Sequence, residues 1–342
     1  MQIRSDTRNR IVAIDVARGL AIIGMFVAHA IPRESGAELL VDGRSSILFA
    51  TLAGVSLGIM TGSAHPLARG QRSDRVVGIL VRALFLFLLG VVLAILHSGV
   101  AVILHFYALM FLLLIPLLFL RRWLLGLIGI AFLIGAPVLG AAQGDVDADA
   151  PPVAYFIDYF FLNGTYPVLI WMPFLLAGLI IARSDLRRPK TQVALVGVGG
   201  SAAFAGYGAA VVFPGVIVEA HSGSIAEVIG SGGLAIALIG GLLWLTSVER
   251  RFPGRALRGI LWPVGATGSM ALTVYTLQIL ALAIVVAGGR EIDYPGWPLL
   301  LWMLLLTFIV AGLWRFFVGK GPLERLLAAL TRTPLPGQSR FS

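Results

Sequence analysis

Apolar residues along this chain come in long unbroken runs, each near the length of a bilayer crossing and separated by short arginine-rich stretches. A crossing takes about twenty predominantly apolar residues. Ten runs meet that measure, at about 11–31, 45–62, 76–97, 100–120, 123–143, 166–183, 192–213, 226–247, 260–287 and 297–318. All are read as helices, because a sheet in a membrane must close into a barrel and show period-two alternation, which these runs lack. The pattern predicts an all-α polytopic membrane bundle of about ten transmembrane helices. Residues 1–342 read as one integral-membrane domain, since no connection is long enough to fold alone, and a basic tail occupies about 319–342. The first run begins after RSDTRNR and lacks a small-residue cleavage site, so no cleaved signal peptide is expected. The segment from about 143 to 165, with PPVAYFIDYFF, suits an amphipathic piece at the outer interface.

Charge orients the bundle. Alternate connections hold RSDTRNR, HPLARGQRSDR, RRW, RSDLRRPK, ERRFPGRALR and the basic tail, whereas the opposite side has Arg33, Arg44, Arg290 and the acidic GDVDADA. By the positive-inside rule both termini are cytoplasmic. The net charge of +9 is thereby spread over loops as a topology signal, and nucleic acid is not an expected partner. Composition agrees, with 58% hydrophobic and 13% charged residues. Without cysteine there are no disulfides or thiolate ligands, and none of the five histidines forms HExxH or a close pair, so no metal is expected. Arginine far exceeds lysine, and Ala and Gly are abundant, which suggests a bacterial source and hence the bacterial cytoplasmic membrane.

Two motif matches lose their chemistry in this setting. GVSLG, Gly54 to Gly58, fits a nucleophile elbow, but an elbow needs a strand-turn-helix and this stretch lies inside an apolar helix. Ala50, Gly54, Gly58 and Gly62 instead give one helix a face for close packing. GVGGSAAFAG near Gly197 lacks the strand before it and the acidic partner after it that a dinucleotide loop requires, so its glycines also read as packing residues.

The first run, RIVAIDVARGLAIIGMFVAH, carries Asp15, Arg18 and His29. At ~100° per residue Asp15 and His29 fall within ~40° of one another and Arg18 within ~60° of Asp15, a face that must meet protein rather than lipid. About 21 Å of helix separates Asp15 from His29, so one helix reaches both sides of the membrane. Asp15 and Arg18 read either as a mutually neutralising pair near a helix end, or as part of an anion-holding cytoplasmic mouth with Arg75 and Arg82 of the third helix. His29 is either a buried hydrogen-bonded residue or a functional one. The topology puts His97, His105, Tyr275 and Gln278 at its depth, with Asp42, Arg44 and Asp158 in the flanking connections. Such a polar set suits a water-accessible reaction or transport site.

These residues also carry a resemblance. IDVARG followed by GMFVAH, then DGRSSILFATLAGVSLGIMTG, LHFYALMFLLLIPLLF, YPVLIWMPFLLAGLIIAR, GSMALTVYTLQ and GPLERLL resemble the YeiB and heparan-α-glucosaminide N-acetyltransferase-like group of the transmembrane acyltransferase superfamily. The resemblance implies transfer of an acyl group, most simply acetyl, from cytoplasmic acyl-CoA to a glycan, glycolipid or other acceptor outside. It implies His29 as base, by the similarity of Asp15, Arg18 and His29 to a D-x-x-R…H arrangement. The lysosomal heparan relative is understood to use a histidine in the loop after its first helix, and the loop Ile31 to Arg44 has none.

An imidazole titrating near physiological pH can take a proton from an acceptor, or carry the acyl group briefly. Asp42 can orient that ring, and Gln278, Tyr275 or His105 can donate to the thioester oxyanion. Arg18, Arg75 and Arg82 suit the donor phosphates. A transporter or flippase of a small anionic or sugar-bearing solute, and a non-catalytic scaffold, remain open readings, as does a homodimer in the lipid bilayer. The topology is testable because the chain has no native cysteine. A single cysteine at position 147 should react with an impermeant maleimide in intact cells, and one at position 335 only after lysis; the reverse pattern would overturn the orientation.

Overall fold

The computed structural model describes residues 11–31, 40–144, 146, 149–247, 253–289 and 296–331, and among them every regular element is helical. In chain order these are α1 (Val12–Ala30), α2 (Arg44–Met60), α3 (Arg72–Ile95), α4 (Leu104–Leu114), α5 (Arg122–Gln143), α6 (Pro152–Ile157), α7 (Val168–Ala182), α8 (Pro189–Val212), α9 (Ile225–Leu245), α10 (Pro253–Ile260), α11 (Trp262–Gly268), α12 (Ala271–Ala287), α13 (Gly296–Phe317) and α14 (Pro322–Leu330). Each of the ten apolar runs falls on a helix. Among the described residues six helices are long and apolar enough to span a membrane, or seven if α11 and α12 count as one bent span, while α2, α4 and α7 are shorter. The expectations for the loop at 32–39, for positions 145, 147 and 148 of the acidic segment, and for the tail beyond 331 lie outside the described residues.

The short helices are the inner ones. α7 is buried along most of its length, as are α1 and α2, whereas α5, α8 and α13 turn large apolar side chains such as Phe204, Trp302 and Phe316 outward. In a bundle immersed in lipid those outward faces are the solvated ones, so association rests on tight packing rather than on removal of apolar surface from water. Small residues supply the packing. A Cβ at Gly54 would overlap the Leu175 carbonyl of α7, and one at Gly178 would overlap the Thr51 carbonyl of α2. Gly199 and Gly206 meet α9 backbone in the same way, so two glycines of GVGGSAAFAG pack helices, whereas Gly197 and Gly200 have nothing within 4 Å of a Cβ and do not. Gly62 departs from its expected place on the α2 face, since it lies past the helix end in a turn with φ +112°. Ser56 of GVSLG sits within continuous α2 and donates to the Leu52 carbonyl, 2.5 Å away, with no elbow geometry.

α1 runs through the middle. Gly19 lies against the Val264 carbonyl of α11, Gly268 of α11 against the Asp15 carbonyl, and Gly24 against Ser45 at the start of α2. The ionisable stripe of α1 is thereby turned into protein, as its angular spacing required.

One buried guanidinium ties three chain segments at the far end of α2. Arg183, just beyond α7, donates from Nη1 to the carbonyls of Gly58 (3.1 Å) and Ser63 (2.7 Å). Its Nη2 donates to Thr61 Oγ1 (2.7 Å) and the Leu118 carbonyl (2.6 Å). Only a planar fork with several donors can answer acceptors on separate segments together, and lysine cannot reproduce it. Replacing Arg183 by Ala leaves those acceptors unpaired in the interior. A loss of about 3 kcal/mol is expected, read as a lower melting temperature in detergent, with little rescue by Lys. Unchanged melting would show that the network is not a brace.

Candidate active site

The site begins where a helix breaks. The run at 260–287 reads in the sequence as one span, but the structure divides it into α11 and α12, bent by 80°. A Gly268–Ser269 pair sits at the bend, with Ser269 Oγ donating to the Ala266 carbonyl at 2.7 Å. A break inside the bundle leaves the first N–H groups of α12 without intrahelical partners. Glu324 of α14 answers them. Its Oε1 accepts from the N–H groups of Leu272 (2.8 Å) and Thr273 (3.1 Å), and its Oε2 from Thr273 Oγ1 (2.6 Å). The carboxylate also complements the positive end of the helix dipole. A Cβ at Gly321 would overlap that carboxylate, which explains the glycine opening GPLERLL.

Beside this junction lies a cavity of about 540 Å³, walled by α1, α2, α3, α4, α12 and α14. At the end carrying α14 it is lined by Asp15, Arg18, Arg82, Lys320 and Glu324, three cations against two acids. At the opposite end it is lined by Met25, Ser46, Tyr107 and Tyr275. Between them the wall is largely apolar, with Phe49, Leu52, Leu86 and Phe111. From Ile11 to Met25 on α1 the cavity follows about 21 Å of helix. The start of α1 and α14 thus meet at one end of the bundle.

Arg18 donates to Ser56 Oγ at 2.6 Å and to Asp15 Oδ1 at 3.3 Å, so the pair within α1 forms while its guanidinium also lines the cavity. Arg82 lies close enough to Arg18 and Glu324 to interact electrostatically with both, and its buried Nε has no hydrogen-bond partner among the described residues. Arg75, two turns earlier on α3, is exposed and does not line the cavity.

His29 and Gln278 come together. Gln278 Nε2 lies 2.8 Å from His29 Nδ1, and Gln278 Oε1 is buried without a hydrogen-bond partner. Each member sits one helical turn beyond a cavity residue: His29 beyond Met25 on α1, Gln278 beyond Tyr275 on α12. An amide N–H₂ can only donate, so as drawn Nδ1 accepts. Turning the amide over places the unpartnered Oε1 against an Nδ1–H and makes Nε2 the basic nitrogen.

The remaining candidates are dispersed. Asp42 is buried in the turn before α2, at the same end of the bundle as His29. Arg44 is committed to the carbonyls of Asp42 (2.9 Å) and Val218 (3.0 Å) and to Tyr207 Oη (3.2 Å). His105 packs against Phe106 and Phe160 and does not line the cavity. His97 is exposed past the end of α3 with φ +49°. Asp158 accepts from Asn163 Nδ2 at 2.6 Å. Ser46, Ser56, Tyr107, Lys320 and Glu324 were not singled out as site residues from the sequence; the acidic side chain of GPLERLL was the one visible signal among them.

Fold and site together define a multi-helix membrane protein with a cavity that is charged at one end and largely apolar along its wall, and a histidine–glutamine pair one helical turn beyond the other end. The family model described as heparan-alpha-glucosaminide N-acetyltransferase, catalytic, matches residues 10–207, more than half of the chain, and the chain belongs to that family of membrane N-acetyltransferases. A search of curated proteins finds no match. The matched span carries Arg18, His29, Arg82 and Tyr107, while Tyr275, Gln278 and Glu324 lie beyond it.

Because Glu324 holds the broken helix, Glu324→Gln should lower stability by about 1–2 kcal/mol, since the charge at the α12 N-terminus is lost and one amide N–H₂ confronts donors. Thermal denaturation of the detergent-solubilised variant measures this, and an unaltered melting point would remove the capping role.

Proposed function

We propose that this protein moves an acyl group, most simply acetyl, from acyl-CoA on the cytoplasmic side of a bacterial cytoplasmic membrane to a glycan or glycolipid acceptor on the outer side. One observation carries the reading: the cavity leads from Arg18, Arg82 and Lys320 to Met25 and Tyr275, each one helical turn short of a member of the His29–Gln278 pair. Arginine forks at the mouth suit the nucleotide phosphates, and the unpartnered Arg82 Nε is a donor with bonding capacity to spare. The apolar wall suits the uncharged arm of the donor, which would place its thioester near Tyr107 and Tyr275. Orientation with the α14 end in the cytoplasm follows from the arginine-rich connections on that side.

In this reading His29 takes the proton from the acceptor's hydroxyl or amine as that atom bonds to the thioester carbon, and the proton then goes to the sulfur as the C–S bond breaks. The products are acylated acceptor and free CoA thiol. Gln278 holds the imidazole through Nδ1, and the Asp42 carboxyl group lies at the same end of the bundle. Holding the ring in one tautomer matters because only then does the basic nitrogen face the incoming proton.

The assay is transfer of labelled acetyl from acetyl-CoA to a membrane glycolipid extract, beside calorimetric binding of CoA. His29→Gln should bind CoA normally yet lose transfer by about 10²- to 10⁴-fold. Arg82→Ala should weaken CoA binding about tenfold or more, with a shallower salt dependence. Absence of transfer in wild type, or full activity in His29→Gln, would sink the assignment.

A further inference from the structure

Every hydroxyl that lines the cavity, save one, has its bonding settled within the protein. Ser56 Oγ donates to the Leu52 carbonyl at 2.5 Å and Ser269 Oγ to the Ala266 carbonyl at 2.7 Å. Tyr107 Oη donates to the Ser46 carbonyl at 3.3 Å, and the Ser46 hydroxyl is paired with Tyr166. Tyr275 differs. Its oxygen accepts from the Ile103 N–H at 3.2 Å, and no described residue is recorded as taking its proton. A phenol has one proton and lone pairs to accept with, so the Ile103 contact leaves the O–H available as a donor. Tyr275 is 4% exposed and lines the end of the cavity away from Arg18 and Arg82. A buried donor without an acceptor, in a space that a ligand can enter, is costly unless a ligand oxygen completes it.

The other candidates for this part are placed elsewhere. Gln278 does not line the cavity and is bonded to His29, and His105 lies tilted against Phe106 and edge-on to Phe160, outside the lining. Tyr275 precedes Gln278 by one turn on α12, which sets its hydroxyl one turn inward from the His29 pair.

We infer that Tyr275 is the oxyanion donor of the transfer reaction, its O–H directed at the thioester carbonyl oxygen and its own oxygen polarised by the Ile103 N–H. This rests on the acyltransferase reading. When the acceptor atom bonds to the carbonyl carbon, the C=O electron pair moves onto oxygen and Tyr275 stabilises that charge without giving up its proton. The pair then re-forms the C=O bond as the C–S bond breaks, and the sulfur takes the proton that His29 received. A donor fixed in advance in a dry site stabilises developing charge more than the ground-state carbonyl. The polarising N–H strengthens it further, because hydrogen bonds in a chain reinforce one another.

Two readouts test this. In Tyr275→Phe, kcat should fall about 10²- to 10³-fold while the Kd for acetyl-CoA changes little. Infrared difference spectra of acetyl-CoA labelled with carbon-13 at the carbonyl should show a band displaced to lower frequency in wild type and close to its solution position in Tyr275→Phe. If that variant proves too unstable to purify, because Ile103 N–H loses its acceptor, a difluorotyrosine installed at 275 keeps the shape, donates more strongly and should displace the band further. An undisplaced wild-type band, a kcat retained by Tyr275→Phe, or no response to fluorination would overturn the assignment while leaving acyl transfer itself standing. Bound acetyl-CoA with a displaced band but no transfer to any acceptor would overturn the acyl-transfer reading, and the oxyanion role with it, leaving Tyr275 as a ligand-binding donor only.

Discussion

Backbone polarity inside a membrane protein has to be answered from within, because lipid offers no hydrogen bonds. The bend between α11 and α12 creates the demand, and the carboxylate of Glu324 meets it with bonds to Leu272, Thr273 and the Thr273 hydroxyl. Much else depends on this junction. It ends α11 where Gly268 can touch α1 backbone, and it starts α12 on a course that carries Tyr275 past the cavity and Gln278 to His29. It also anchors α14 across the mouth, so one acidic side chain links the helix break, the cavity wall and the electrostatics around Arg82.

Charge at that mouth is not balanced within the cavity lining, where three cations stand against two acids. Asp15 pairs with Arg18 and the Glu324 oxygens are bonded at the α12 terminus, leaving Arg82 beside another guanidinium. Like charges at close range in a low-dielectric space repel strongly, and under the proposed donor-site reading an entering phosphate would relieve both the repulsion and the incomplete hydrogen bonding of Arg82 Nε. The opposite end of the cavity carries hydroxyls and, among the described residues, no carboxylate or cationic side chain; under the proposed function this suits a neutral thioester that becomes negative only during reaction.

The glycine contacts explain how such a site stays narrow. Where α2 meets α7, and α1 meets α11, backbone lies on backbone with no room for a Cβ. Helices held at that distance cannot drift apart without losing dispersion contacts that lipid does not fully restore. The Arg183 network fixes the end of α2 to the segments around it, so the wall carrying Ser46, Phe49, Leu52 and Ser56 is held along its length.

Much of this was legible in the sequence. Apolar runs set the helices, because length in hydrocarbon and internal backbone bonding leave no other structure. Angular spacing showed that Asp15, Arg18 and His29 face protein, and small-residue spacing marked Gly54 and Gly58 as packing positions. Periodicity, however, records only that a face is buried and not what buries it. Which arginine of α3 reaches the cavity, Arg82 rather than Arg75, depends on how α3 lies against α1 and α14. The bend at Ser269 was masked by an apolar run that continues through it, and its cap lies about fifty positions downstream in Glu324. His29 and Gln278 stand 249 positions apart, and their depths were predictable only to within a turn or so. Local physics along the chain determined the helices and the polarity of each face; the pairing of those faces is a many-body packing outcome, and only the tertiary structure decided it.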